Sequence, residues 1–233
     1  MKALMLAAGT GQRLGEITEK IPKPMIKIFG KPILEHNINT LKKFGVTDIF
    51  INLHHLPEVI TNYFDTGLEW GVNIHYTYED ELLGTSGAVK NHSEFFEEFF
   101  VVVYGDNLFH EEMDLSKLIG FHEASNSDFT IGLCEASDIS LSGVIELNED
   151  QKVTGIIEKP QTEGVVSGWV NAGIYLIESK IVSLIPEGYS DFSNDVIPLL
   201  LELDYNLYAQ KLDGKVIAID TPAKLNEASN LRR

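Results

Sequence analysis

Cysteine occurs once in the 233 residues, as Cys134. An internal disulfide is therefore excluded, and so is a structural zinc site of the usual kind, which needs several Cys and His ligands. No apolar run approaches the ~20 residues of a membrane-spanning helix, so no membrane partner is expected. Met1–Leu6 leads into a glycine loop rather than the apolar core and cleavage site of a signal peptide. Together these absences predict a reducing, cytoplasmic setting. Basic residues are scarce: 18 Lys+Arg stand against 35 Asp+Glu, a formal net charge of −17. General nucleic-acid binding is excluded, because a phosphate backbone demands a basic face. With 44% hydrophobic and 23% charged residues the chain has an ordinary globular composition, which rules out disorder and collagen-like repeats.

Against this acidic background stands one basic island. Residues 1–31 carry Lys2, Arg13, Lys20, Lys23, Lys27 and Lys31 against only Glu16 and Glu19. A compact anion site explains such an island better than a long charged surface does.

Hydrophobic patterning predicts a strand at Ala3–Leu6, a helix from about Pro32 to Phe44 stopped by Gly45, and a buried strand at Asp48–Leu53. A helix at Pro57–Phe64, a strand at Val72–Tyr78, a short helix at Gly84–Asn91 and an apolar strand at Phe99–Tyr104 follow. Beyond about residue 125 the pattern becomes antiparallel: strands at Asp128–Glu135, Gly143–Leu147, Lys152–Glu158 and Trp169–Ile177, with a hairpin turn at Asn148–Gln151. Asp191–Leu203 reads as partly helical, kinked or restarted by Pro198. Strands at Asn206–Leu212 and Lys215–Ile219 and a helix capped by Thr221 close the pattern. The expected fold is α/β: a single Rossmann-like, open and mostly parallel sheet flanked by helices, with an antiparallel insertion. Residues 1–233 are expected to form one domain, about 1–125 holding a nucleotide and about 126–233 a second substrate.

The densest signal is Leu6-Ala7-Ala8-Gly9-Thr10-Gly11-Gln12-Arg13-Leu14, followed by Pro22-Lys23-Pro24. Glycines directly after a first buried strand let the backbone approach an anion and offer it N–H donors. Arg13 and Lys23 add charge where phosphates would lie. A dinucleotide fingerprint fails, because Gly9, Gly11 and Gly15 are spaced G-x-G-x-x-x-G and Leu53-His54-His55 stands where a ribose-binding acid belongs. A P-loop fails for want of Gly-Lys-Ser/Thr.

With Pro22-Lys23-Pro24 the loop resembles that of the nucleotidylyltransferases that make nucleotide-activated sugars. The resemblance extends through Gly30-Lys31-Pro32-Ile33-Leu34, Leu83-Gly84-Thr85-Ser86-Gly87, Tyr104-Gly105-Asp106, Glu158-Lys159-Pro160 and Val170-Asn171-Ala172-Gly173-Ile174-Tyr175. It implies the core catalytic domain, without the left-handed β-helix of larger members.

Two isolated acids end apolar strands, Asp106 after Val101–Gly105 and Asp220 after Val216–Ile219. In open parallel sheets ligands sit beyond such strand ends, and Mg²⁺ takes one or two carboxylates with water and substrate phosphates. Asp220 also stands where an acid commonly opens a helix. The resemblance makes Asp106 a metal ligand. For the second acid it leaves a choice: Asp220-Thr221 resembles the cytidylyltransferase form, whereas the commoner form puts the acid where Ala218 stands.

The implied reaction is transfer of a nucleoside monophosphate from a nucleoside triphosphate to a sugar 1-phosphate, releasing pyrophosphate. Alternatives are a cytidylyltransferase for an amino alcohol or polyol phosphate, and a catalytically idle nucleotide-sugar sensor. Arg13, Lys23 and Asp106 are expected to be catalytic. Leu6 to Gln12, with Arg13 and Lys23, would bind the triphosphate, and Glu79, Gly84 and Thr85 the base. Gly143, Glu158, Lys159 and Asn171 would bind the sugar phosphate. The cofactor implied is Mg²⁺, and a homo-oligomer is left open. His54-His55 lacks a third metal ligand, and His110-Glu111-Glu112 lacks the second His of a zinc-protease helix.

Overall fold

The structure, a computed structural model, describes residues 1–110, 113–161, 164 and 166–231. Glu111 and Glu112 of the His110 motif lie outside the described residues. The chain divides into two compact units. The first comprises Met1–Leu82, Val103–Met113 and Val216–Arg233, the second Leu83–Val102 and Asp114–Lys215.

The first unit is framed by three parallel strands, Lys2–Leu6, Asp48–Leu53 and Asn73–Tyr78, with Leu4 opposite Phe50 and Ile49 opposite Ile74. Asp48–Leu53 is buried from its second residue to its last, as its continuous apolar run requires. The helix Ile33–Lys43 connects the first two strands and buries Leu34, Ile38 and Leu41. Pro32 is the residue before this helix rather than its first member, and Gly45 ends it with φ of 79°. The helix Pro57–Phe64 connects the next pair and buries Ile60 and Phe64.

Asn107–Phe109 runs antiparallel to Val216–Ala218, with Leu108 opposite Ile217. Their side chains join Leu14, Ile26, Ile28, Ile33, Ile219 and Ala228 in one apolar cluster. Helix Pro222–Ser229 follows, its first turn capped by the Thr221 hydroxyl, which accepts from the Lys224 N–H at 3.3 Å.

In the second unit Gly168–Ile177 pairs antiparallel with Phe129–Ala136, and their register shifts between Asn171 and Tyr175. Phe129–Ala136 also pairs in parallel with Leu207–Lys211. Gly143–Leu147 and Val153–Glu158 form the expected hairpin, whose Asn148 side chain accepts from the N–H groups of Asp150 and Lys152 at 3.0 and 2.9 Å. Phe129, Tyr175 and Phe192 pack with ring centroids 4.8 to 5.5 Å apart. Phe192–Val196 forms one π-helical turn before the α-helix Ile197–Glu202. Pro198 is the second residue of that α-helix, directly after the π-helical turn, as expected of a proline that restarts a helix.

The α/β class stands, with its parallel strands, crossover helices and antiparallel section. Two helices escape the patterning argument, Glu16–Lys20 and Ser116–Ala124. The first is a single short turn. The second buries only Leu118 and His122 and carries Gly120 at its centre, so its apolar stripe is too thin to register.

Candidate active site

Ala7 opens the glycine loop of the first unit. Its N–H donates to Asn52 Oδ1 at 2.8 Å, and Asn52 Nδ2 donates to Glu79 Oε1 at 2.7 Å. The Glu79 N–H is held by the Leu53 carbonyl at 2.8 Å. Further along, Gly11 adopts φ of 67°, and a Cβ there would stand 2.8 Å from Thr18 Cγ2. Both facts require glycine. Thr18 is buried, and its hydroxyl lies 3.0 and 3.1 Å from the carbonyls of Gly11 and Gly15. At Gly9 no atom lies within 4 Å of a Cβ position, so the loop is open to a ligand there.

Lys23 is the centre of charge. Pro22 sets the extended backbone before it, and Lys23–Met25 forms a tight turn closed by Met25 N–H to Pro22 O at 2.8 Å. Only 6% of Lys23 is exposed. Its Nζ lies 2.5 Å from Asp106 Oδ2 and also bonds Asp220 Oδ1. Arg13 Nη2 reaches the same Asp220 oxygen at 3.0 Å. Burial alone would lower the pKa of Lys23, but the charges of Asp106 and Asp220 and their hydrogen bonds outweigh it and hold the ammonium above its ordinary value.

Main-chain contacts aim the acids. Gly105 N–H donates to Leu6 O at 2.9 Å, and a Cβ on Gly105 would stand 2.8 Å from that oxygen. Only glycine brings the Asp106 turn this close to the start of the loop. Ile219 N–H donates to Asp106 O at 3.1 Å, which sets Asp220 beside it. Two carboxylates meeting at one cationic nitrogen form a donor set that suits Mg²⁺, which needs one or two with phosphates and water. Among the described residues no group of three His, Cys, Asp or Glu gathers to hold a metal. His54 and His55 are committed to carbonyls, Nδ1 of His54 to Glu79 O at 2.8 Å and Nε2 of His55 to Thr18 O at 2.6 Å.

In the second unit the Gly84–Gly87 turn is fastened to its own neighbours. Ser86 and Gly87 N–H groups donate to Ser190 O at 3.0 and 3.2 Å, and the Thr85 hydroxyl donates to Asp191 Oδ1 at 2.9 Å. Gly84 has φ of 75°, and a Cβ there would stand 2.4 Å from Ser190 O. Gly143 pairs with Glu158 across the hairpin, and a Cβ on Gly143 would stand 2.9 Å from Glu158 Oε2. Lys159 Nζ lies 3.6 Å from Glu158 Oε1, so these three form one group. Asn171 is engaged elsewhere: its amide donates to the Tyr175 hydroxyl at 2.6 Å and accepts from Gly173 N–H at 2.9 Å.

The structure thus brings together Arg13, Lys23, Asp106 and Asp220 in one unit, and Gly143, Glu158 and Lys159 in the other. Glu79, expected to read a base, is tied through Asn52 to the loop. Asn52, Thr18 and Asp191 are absent from the sequence-derived set. Asn52 had one visible signal, a polar amide inside an otherwise apolar strand.

The nucleotidyl transferase family model matches residues 2–217. A UTP–glucose-1-phosphate uridylyltransferase of Synechocystis sp. is 35% identical over 234 residues, covering 94% of this chain and 60% of that protein. The bifunctional protein GlmU of Methanococcus maripaludis is 33% identical over 219 residues, 92% of this chain and 50% of its own length. A mannose-1-phosphate guanyltransferase of Saccharomyces cerevisiae is 30% identical over 228 residues, 95% of this chain and 62% of its length. The chain therefore spans between half and about three fifths of these curated relatives. Among solved structures, HddC from Yersinia pseudotuberculosis superposes with a TM-score of 0.82 at 28% identity, covering 98% of this chain and 97% of that one.

Proposed function

Because the chain belongs to the nucleotidyl transferase family, we propose that it is a sugar-1-phosphate nucleotidylyltransferase. A phosphate oxygen of the sugar 1-phosphate attacks the α-phosphorus of a nucleoside triphosphate, the bond to the bridging oxygen breaks, and pyrophosphate leaves. The observation that carries this reading is the meeting of Lys23, Asp106, Asp220 and Arg13 in the unit that bears the glycine loop.

Such a transfer needs position and charge neutralisation more than covalent help. The N–H groups of Ala8 to Gly11 bind phosphate oxygens, with the space at Gly9 leaving room for them. Lys23, buried and kept protonated, meets the α-phosphate as charge builds in the transition state. Arg13, more exposed, steadies the leaving pyrophosphate. Asp106 and Asp220 would hold Mg²⁺, which would supply positive charge to the triphosphate oxygens. Glu79, Gly84 and Thr85 read the base. Glu158 accepts from sugar hydroxyls and Lys159 binds the acceptor phosphate, with Gly143 leaving room and Asn171, steadied within its own strand, offering its amide to the sugar phosphate. Residues 1–125 then serve mainly the nucleotide and 126–233 mainly the sugar phosphate.

The uridylyl and guanylyl names of relatives and the GMP-PN complex of HddC support the reaction class. Their bases differ, so the base stays unassigned. Among the described residues no helix is long and apolar enough to cross a membrane, and the proposal sets the enzyme in the cytoplasm. The test is pyrophosphate release with UTP, GTP, TTP, CTP and ATP against glucose, mannose and N-acetylglucosamine 1-phosphates, with polyol and amino alcohol phosphates alongside. Magnesium-dependent release with at least one sugar phosphate is expected. Release only with a non-sugar phosphate would reassign the acceptor, and none at all would end the reading.

A further inference from the structure

Asn52 is 3% exposed near the end of a strand whose neighbours are apolar. A buried amide in such a place is costly unless both its ends are bonded. Both are. Oδ1 accepts from the Ala7 N–H and Nδ2 donates to Glu79 Oε1. The backbone N–H can only donate and an ionised carboxylate can only accept, so these partners admit one orientation of the amide. The next residues continue the same work. His54 Nδ1 holds the Glu79 carbonyl, and His55 Nε2 holds the carbonyl of Thr18, whose hydroxyl lies against Gly11 O. One strand end thereby fixes Ala7 at the start of the glycine loop, Thr18 against the Gly11 carbonyl, and Glu79.

We propose that Asn52 is a positioning residue that couples the base-side Glu79 to the phosphate-side loop, setting triphosphate affinity without touching the triphosphate. This rests on the nucleotidylyltransferase reading of the loop and of Glu79. Asn52→Asp keeps shape and the Ala7 acceptor but loses the donor and sets two carboxyl groups face to face. Glu79→Gln supplies a new donor at the other side. In the double variant the introduced glutamine donates to the introduced aspartate, which still accepts from Ala7, so both hydrogen bonds return, the one between residues 52 and 79 with its direction reversed. A purely space-filling role for Asn52 has no reason to show that reversal.

The experiment is a double-mutant cycle on the full chain. Calorimetry reads the Kd of the magnesium complexes of UTP, GTP, TTP, CTP and ATP, and steady-state kinetics read kcat and both KM values. Asn52→Asp is expected to raise the Kd and the KM of the best-bound triphosphate roughly tenfold, the effect of one charge-assisted hydrogen bond. The KM of the acceptor should hold, and Asn52→Asp made in the Glu79→Gln background should raise the triphosphate Kd by no more than about threefold over Glu79→Gln alone. An unchanged triphosphate Kd in Asn52→Asp overturns the proposal. Equal losses in both KM values, or a folded double variant that binds triphosphate about tenfold more weakly than Glu79→Gln alone, overturn it too. Should Asn52→Asp not fold, Asn52→Ser, which keeps a small polar group but spans neither partner, must show the same selective loss of triphosphate binding. A wild-type chain that binds triphosphate but never releases pyrophosphate would sink the enzymatic reading, while the binding cycle still decides the role of Asn52.

Discussion

The backbone N–H of Ile219 donates to the carbonyl of Asp106 at 3.1 Å. This main-chain bond, next to the antiparallel pairing of Leu108 with Ile217, sets the carboxylates of Asp106 and Asp220 on one lysine. Side-chain attraction does not have to find that geometry. The backbone imposes it, and the charges then occupy it.

Asp106→Asn is expected to leave the fold intact and nearly abolish turnover. The change is isosteric, and the bonds that place residue 106 are main-chain ones. What disappears is the negative charge that a magnesium ligand needs. Pyrophosphate release at saturating magnesium, beside an unchanged thermal melt, is the measurement; wild-type turnover would remove Asp106 from the centre.

Lys23→Ala should lower kcat by ~10²–10³, the range for losing one preorganised donor on developing charge, with a smaller change in triphosphate KM. The same substitution leaves Asp106 and Asp220 without their shared ammonium. Calorimetry with manganese alone should therefore show tighter metal binding by the variant than by wild type. A rise in KM with kcat preserved would make Lys23 a ground-state anchor instead.

Glu158→Ala should weaken use of the sugar phosphate by ~1.5–3 kcal/mol, the worth of a hydrogen bond to a charged group. The ranking of the five triphosphates should not move, because Glu158 is grouped with Gly143 and Lys159 and not with the glycine loop. Kinetics with each triphosphate at fixed acceptor test both halves of the statement, and a reordered ranking refutes the second.

Acid sensitivity is expected from His122. It is 1% exposed, its Nδ1 pairs with the Thr130 hydroxyl at 2.8 Å, and its Nε2 lies 3.5 Å from Glu178 Oε1. Burial lowers its pKa, and the opposing pull of Glu178, Glu123 and Asp128 does not restore it. The unfolded chain thus takes up this proton more readily than the folded one. The contribution of His122 to stability is complete above the ordinary histidine value of about 6.5 and declines as pH falls through it. Urea midpoints between about pH 5 and 8 should fall on the acid side in wild type and fall less in His122→Gln. Parallel curves would contradict this.

The frame was legible wherever burial writes itself into local pattern. The apolar run Ile49-Phe50-Ile51, Pro57 at a helix start, and Thr221-Pro222 at another all mark their elements. Ser116–Ala124 was not legible, because its burial is confined to two side chains. For the site, Arg13, Lys23, Asp106 and Asp220 stand out by motif and by strand end, yet their convergence depends on a pairing between residues more than a hundred positions apart. Asn52 and Asp191 act on backbone 45 and 106 positions away, and no short pattern announces such a partner; Thr18 ties the backbone of its own loop with a hydroxyl that a solvated surface threonine would also show.

The pairing of Asn107–Phe109 with Val216–Ala218 also has a bearing on how the chain is made. A nascent chain emerging from the ribosome carries the glycine loop and Lys23 early. Asp220 emerges long after, and with it Ile217 and Ile219 of the cluster that includes Leu14 and Leu108. Until then the apolar side of Leu108 stays uncovered, and Lys23 has only one of its two carboxylates. Contacts of such high sequence separation close late and slowly. The charged centre is thus completed long after its glycine loop has been made, and a chain cut before Val216 would lose the covering of Leu108 along with the second acid.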